Sequence, residues 1–315
     1  MRFEIVILGC GAATPTLRHN PTSQAVNWDG RWFLVDAGEG VQLGIRRHRI
    51  PLQKIEGICI SHLHGDHVLG LPGLLGSMNL FGRTASLNIY GPIGLEQFVK
   101  QALKSTETYV RFQLIFHSNS KDTCESILQW GDCTVQSVPV KHRIPAYGYV
   151  FDYVPTIRNI KKEAIRTYLL QRSEILTLKA GKDVLRKDGK SIRVDDACMP
   201  SKSSLRYAYS GDTTPCDSFI QAARNADVIY HEATFMTALE KTARKTGHST
   251  AFQAGHVAIE AEATHLVIGH LSSRYRDEEA VLEEAKTAFV NSSLAQEGMR
   301  IRLNPQTKRT ETYLE

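Results

Sequence analysis

The sequence predicts a mixed α/β fold, and three observations predict it. Short apolar runs rich in Val, Ile and aromatic residues alternate with Gly, Pro and Asp turns. Amphipathic helical segments sit between those runs. Strand-like segments end again and again on His, Asp or Glu, and in layered α/β folds sites form where strand ends converge.

Along the chain, strands are predicted at FEIVIL (3–8), RWFLVD (31–36), GICI (57–60), SLNIYG (86–91), TVQSVPV (134–140), RYAYS (206–210), DVIYH (227–231) and THLVIG (264–269). Each is a short β-branched or aromatic run bounded by turn residues. Helices are predicted at LEQFVKQALKS (95–105), which places Leu95, Phe98, Val99 and Leu103 on one face, and at 216–226, 250–263 and 277–290, where the same spacing recurs. Residues 1–315 are expected to form one catalytic domain. From Asp152 to Asp196, Lys and Arg outnumber acids and the chemistry-bearing residues vanish, so 152–196 reads as an inserted basic arm.

Composition excludes several classes. No apolar run approaches the roughly 20 residues needed to cross a bilayer, and the start is too short for a signal peptide, so no membrane partner and a cytoplasmic location are expected. Cys10, Cys59, Cys124, Cys133, Cys198 and Cys216 stand singly, without C-x-x-C spacing, and are expected to be reduced thiols. The formal charge of +5 is mild, so attraction to a polyanion must come from local clusters.

The informative stretch is ICISHLHGDHVLGLPG (58–73), where an apolar run gives way to three histidines and an aspartate within six residues. His62 and His64 are two apart at a strand-to-loop junction and can point the same way; Asp66 and His67 follow on the turn, where Gly65 relieves steric restriction. Neutral imidazoles and carboxylates suit Zn²⁺, with Mn²⁺ or Fe compatible on ligand type. Once His142, Asp212 and His270, at other strand ends, join them, the donors exceed one tetrahedral site and two metals are implied. Asp36 and Glu232 complete the set of polar strand ends.

SHLHGDH, preceded by DAGEG and followed by KH, SGDT and GH, resembles the metallo-β-lactamase superfamily, a four-layer αββα sandwich with a two-metal site along one edge. LGCGAATPTLRHNPTS, DAGEGVQ, HEATF, GHST and LSSRY extend the resemblance over nearly the whole chain to the ribonuclease Z family, which processes the 3′ ends of transfer RNA. The resemblance implies that His62, His64 and His142 hold one zinc, Asp66, His67 and His270 the other, and that Asp212 bridges them. It implies an orienting role for Asp36 on a ligand histidine. It selects, between two chemically open polarities, release of a 3′-hydroxyl on the transfer RNA and a 5′-phosphate on the trailer. It also implies a homodimer in which one subunit's flexible arm helps to clamp RNA cut by the other.

On that resemblance Asp66 would accept a proton from the attacking water, and His248, oriented by Glu232, would protonate the leaving oxygen or bind developing charge. Ser272, Ser273 and Arg274 after His270 are candidates to grip phosphate. In the arm, Lys161, Lys162, Lys182, Arg186 and Lys187 are candidate RNA contacts, joined by Arg166, Lys179 and Lys190; the glycine-proline motif of many bacterial members is missing. Arg18, His19 and Asn20 and the run Arg46, Arg47, Arg49 are further candidates. A rival reading is a metallo-hydrolase of a small ester, thioester or lactam, since one metal scaffold serves many substrates.

Overall fold

The computed structural model describes residues 3–314. The first of its two large sheets contains β1 (Phe3–Gly9), β2 (Ser23–Trp28), β3 (Arg31–Val35), β4 (Ile55–Cys59), β5 (Leu87–Gly91), β6 (Leu114–Ser118), β16 (Met299–Leu303) and β17 (Thr310–Leu314), in the order β17-β16-β1-β2-β3-β4-β5-β6. The second contains β7 (Glu125–Trp130), β8 (Cys133–Val140), β9 (Ala146–Tyr153), β12 (Leu205–Tyr209), β13 (Val228–Glu232), β14 (Leu266–Gly269) and β15 (Ser292–Leu294), in the order β15-β14-β13-β12-β9-β8-β7. A two-stranded ribbon, β10 (Val184–Leu185) and β11 (Ser191–Ile192), lies between β9 and β12 in sequence.

The sheets face each other across a core in which aliphatics and aromatics of the first sheet (Ile5, Ile7, Val26, Phe33, Val35) meet a tyrosine-rich face of the second (Tyr147, Tyr149, Phe151, Tyr207, Tyr209, Tyr230). Helices Val41–Arg47, Gly70–Leu80 and Leu95–Ser105 cover the outside of the first sheet; helices Asp217–Ala222, Ala251–Glu260 and Glu278–Ala288 cover the second. The result is the expected αββα arrangement. Leu95 and Val99 are buried on the first outer layer, with Phe98 and Leu103 packed at its margin, as the amphipathic spacing requires.

The eight predicted strands all form, as β1, β3, β4, β5, β8, β12, β13 and β14. Others are not visible from pattern. SQAVNW (β2) lacks polar–apolar alternation because both faces are buried, and the longest strands include β9, whose AYGYVFDY is interrupted by Gly148. Gly148 stands where an added Cβ would lie 2.8 Å from Tyr209 O, so its neighbour strand, not local propensity, selects it.

Strand direction places the insertion. β9 starts beside the polar cluster, with Tyr147 N donating to Ser61 O (3.0 Å), and ends at Tyr153. At about 3.3 Å per residue its far end lies roughly 23 Å away. Asp152 belongs to β9, and the chain outside the sandwich is 154–204, leaving and returning at the edge opposite the cluster. This segment has its own small core of Ala164, Leu170, Leu178, Val184, Ile192, Val194 and Ala197.

Tyr153 and Leu205, which flank the insertion, are directly paired in the β9–β12 ladder. Replacing residues 154–204 by an Asn-Gly turn should therefore close a hairpin on the existing register. The variant is expected to unfold cooperatively within a few degrees of the parent in a thermal melt; loss of cooperative unfolding would show that the sandwich needs the insertion.

Candidate metal centre

The ends of β3, β4, β8, β12, β13 and β14 deliver Asp36, His62, His142, Asp212, Glu232 and His270 to one edge of the sandwich. The donors fall into two groups. His62 Nε2 lies 3.0 Å from His64 Nδ1, which lies 3.2 Å from His142 Nε2, and Asp212 Oδ2 is 3.5 Å from His62 Nε2. His67 Nε2 lies 3.2 Å from His270 Nε2, and Asp66 Oδ2 lies 3.3 Å from His270 Nε2 and 3.6 Å from His67 Nε2. Asp212 Oδ1 is 3.4 Å from His67 Nε2 and 3.3 Å from His270 Nε2. Thus the two oxygens of Asp212 face different histidine sets.

The residues fit metal ions. A tetrahedral donor set with bonds of about 2.0–2.1 Å has edges of roughly 3.4 Å, which is the spacing found. The far ring nitrogens are held so that the near ones present lone pairs. His67 Nδ1 donates to Asp36 Oδ2 (2.8 Å), His142 Nδ1 to Gly247 O (2.6 Å), His62 Nδ1 to Ser61 Oγ (3.0 Å) and His270 Nδ1 to Thr234 Oγ1 (2.9 Å). Burial pushes His62, His64 and His142 below the usual imidazole value and favours the neutral form. Burial would do the same to His67, but the Asp212 and Asp36 carboxylates outweigh it and hold it up. For Asp66 and Asp212 burial is likewise outweighed, by the surrounding histidines, and both carboxyls are held down. A bound cation would displace the proton that His67 holds against these carboxylates and supply the positive charge in its place.

Backbone conformation shapes the cluster. Asp36 (φ 59°), His270 (φ 54°) and Ala13 (φ 64°) adopt the left-handed region that favours glycine. At Ala13 this aims the amide N–H at Asp66 Oδ2 (2.7 Å). Gly247 (φ 77°) cannot be replaced freely, because a Cβ would stand 2.9 Å from His142 Nδ1. Gly65 plays a different part from the expected turn: it starts the short helix Gly65–Val68, and an added Cβ would press on Leu69.

His248 Nδ1 lies 2.9 Å from Glu232 Oε1, and Glu232 also accepts from Thr213 N (2.9 Å) and Thr234 Oγ1 (2.7 Å). Burial would lower the His248 value, but the Glu232 charge, its hydrogen bond and Asp212 together hold the imidazole at about 9. Burial would raise Glu232, and His248 brings it below its ordinary range. Thr234 accepts from His270 and donates to Glu232, so one hydroxyl joins a candidate ligand to the His248 pair. Ser61 and Tyr209 do similar service at Asp36, donating to Oδ2 at 2.8 and 2.5 Å. The sequence reading missed Thr234, Ser61 and Tyr209. The first two were visible as hydroxyls inside HEAT and SHLH, whereas Tyr209 becomes a partner only when the sheets stack.

Of the other candidates, Ser272 and Arg274 stay near His248 and the rest disperse. Arg274 is exposed, donates from Nε to Ser272 Oγ (2.9 Å) and packs its guanidinium 4.7 Å from the Phe235 ring, which neighbours His248; Ser273 is exposed beside it. Arg18 and His19 engage Glu278, both at 2.9 Å. Arg46 lies over Phe81 on the outer helical layer. In the insertion, Arg186 makes a bidentate pair with Glu174 (2.6 and 2.8 Å) and donates to Tyr168 O, and Lys161 donates to the carbonyls of Asp195 and Asp196. Both therefore have structural engagements, whereas Lys162, Lys182 and Lys187 are exposed.

Replacing Thr234 by Val keeps shape and removes the hydroxyl from the His270–Thr234–Glu232 chain. Chelator competition is expected to show metal affinity weakened about 10- to 100-fold. Unchanged affinity would mean that Thr234 does not orient His270.

Residues 3–158 match a family model described as anti-Pycsar protein Apyc1. Relatives named ribonuclease Z are 38% identical over 96% of this chain and 99% of the relative in Porphyromonas gingivalis, and 38% identical over 97% of both chains in Bacteroides thetaiotaomicron. One from Cytophaga hutchinsonii is 39% identical over 95% of both. Among solved structures, human tRNase Z, short form, superposes with a TM-score of 0.69 at 24% identity, over 95% of this chain and 98% of that one. The metallo-β-lactamase fold protein YhfI from Bacillus subtilis gives 0.68 at 21% identity, over 96% and 100%. These two likenesses establish the fold, and the near-full-length identity to the curated relatives goes further: this chain belongs to the ribonuclease Z family.

Proposed function

We propose that the chain is an endoribonuclease that removes 3′ trailers from precursor transfer RNA, leaving a 3′-hydroxyl on the transfer RNA and a 5′-phosphate on the trailer. The observation that carries this reading is the Glu232–His248 pair set against the Asp212-centred donor cluster, in a chain matched over 96% of its length by a relative named ribonuclease Z. In it His62, His64, His142 and Asp212 would hold one Zn²⁺, and Asp66, His67 and His270, with Asp212, a second. Two divalent ions so held would supply hydroxide at neutral pH and stabilise charge on a phosphoryl group.

The chain's own groups do the rest. Asp66, fixed by the Ala13 amide, accepts the proton of the attacking water through a carboxylate oxygen. His248, kept protonated by Glu232, donates to the leaving O3′. Arg274 and Ser272 stand at the same margin, placed to grip a neighbouring phosphate. The insertion 154–204 serves as the RNA-binding arm through Lys162, Lys182 and Lys187. Its exit at the edge opposite the cluster supports a homodimer in which it reaches the partner's substrate, and a cytoplasmic location belongs to the same reading. Among the described residues no helix is long and apolar enough to cross a membrane. The rival small-substrate hydrolase draws no support from an apolar cavity of about 730 Å³, because that cavity lies under Leu43, Ile45, Leu74 and Phe81 and includes none of the donors.

Cleavage of a defined precursor by metal-loaded protein tests the proposal. The parent should release a trailer with a 5′-phosphate, Asp66→Ala and His248→Ala should each lose at least about 100-fold, and intact precursor beside efficient thioester hydrolysis would overturn the reading. The hairpin variant lacking 154–204 should lose precursor cleavage while retaining hydrolysis of a small phosphodiester; equal losses would deny the arm an RNA role.

The pH profile gives a separate check. Glu232 and Asp212 favour protonated His248 while bound cations would oppose it, so activity should fall as pH rises through a His248 value below the about 9 that the carboxylates alone set. In Glu232→Gln the larger of the two raising carboxylates is gone and burial weighs more, so the alkaline limb should move to lower pH. An unmoved limb would exclude His248 as the proton donor.

A further inference from the structure

A row of cations beside His248 takes no part in the chemistry described above. The helix Glu240–Thr246 leads directly into Gly247 and His248 and carries exposed Lys241, Arg244 and Lys245, with only Ala243 buried. Spacings of three and four residues put all three on one solvent face. Lys141 and Arg143, also exposed, continue the row on the loop after β8, because His142 Nδ1 donates to Gly247 O (2.6 Å) and a Cβ on Gly247 would lie 3.1 Å from Arg143 N. Arg143 is near enough to the cluster to act on His64. No ion pair or side-chain hydrogen bond holds any of these five among the described residues.

The fold alone does not account for this row. Like charges at i,i+4 weaken a helix by a few tenths of a kcal/mol. The helix dipole favours Arg244 and Lys245 in the last turn, but it disfavours Lys241 in the first. An anionic ligand removes both penalties.

Which part of an RNA meets the row follows from in-line geometry. The attacking water and the leaving oxygen lie on opposite sides of the phosphorus, and His248 stands on the leaving-oxygen side. In the polarity proposed above, that oxygen is O3′ of the retained RNA. We propose that Lys141, Arg143, Lys241, Arg244 and Lys245 form a phosphate-binding ridge for the RNA strand 5′ of the cleavage point, and therefore hold the mature 3′ end rather than the trailer. This assignment rests on the nuclease reading and names the strand that the site retains.

The test compares metal-loaded parent protein with the triple variant Lys241→Gln/Arg244→Gln/Lys245→Gln, and with Lys241→Arg/Lys245→Arg as the charge-preserving control. Binding of a transfer RNA ending at the cleavage point, and of a 5′-phosphorylated trailer oligonucleotide, is measured across a salt series. The triple variant should bind the mature RNA about tenfold more weakly at low salt, with the log–log salt slope reduced by about 2 to 3. Trailer binding and small-phosphodiester turnover should not change, and the charge-preserving control should match the parent. Unchanged binding of mature RNA, or an equal loss for trailer and mature RNA, would overturn the ridge. Failure of the parent to cleave any precursor would instead overturn the underlying nuclease reading.

Discussion

The site turns on one carboxylate shared between two sets of imidazoles. Asp212 sends Oδ2 toward His62 and Oδ1 toward His67 and His270, so neither donor group can shift without disturbing the other. The position is set from the backbone outward. β12 runs parallel to β13, which runs parallel to β14; β13 and β14 end in register at Glu232 and Gly269, and β12 ends two residues earlier at Tyr209, opposite Tyr230. Gly211, immediately before Asp212, takes a left-handed φ of 62°, where a Cβ would stand 2.7 Å from Tyr147 O. The first sheet supplies His62, His64, Asp66 and His67 after β4, and stacking the sheets brings those residues to Asp212 across the sandwich edge.

Hydrogen bonds convert that convergence into fixed tautomers. The orienting groups come from both sheets: Asp36 and Ser61 from the first, Tyr209, Thr234 and Gly247 from the second. Asp36 gathers four donors, from Ser61 N, Ser61 Oγ, His67 Nδ1 and Tyr209 OH, which satisfies a fully buried carboxylate. Thr234 carries the same logic from His270 to Glu232 and so ties the Glu232–His248 pair to the donor cluster. Left-handed backbone at Asp36 and His270 is the strain the fold accepts to aim these side chains.

Much of this is legible in the sequence because the candidate donors follow strands. β4 reads plainly as an apolar run, and HLHGDH follows it within a turn, so a local pattern exposes four donors at once. The predicted outer helices are equally local, each marked by its own amphipathic face. What the sequence hides depends on stacking. Tyr209 looks like a strand tyrosine until the opposite sheet brings Asp36 under it. β2 has no alternation to reveal it, because helices and sheet bury both its faces. Arg186 reads as a cation free for RNA, yet Glu174, in a neighbouring helix of the insertion, takes its guanidinium bidentately. The departure of the insertion from the edge opposite the cluster likewise follows from strand direction, which no local pattern displays.

The central claim is that seven side chains form two metal positions with Asp212 between them. Anomalous diffraction at the zinc edge, from crystals of the protein grown with zinc, tests it most directly. The account predicts two peaks per chain, one within bonding distance of His62, His64 and His142, the other of Asp66, His67 and His270, each reached by one oxygen of Asp212. A single peak, or two peaks without Asp212 between them, would contradict it.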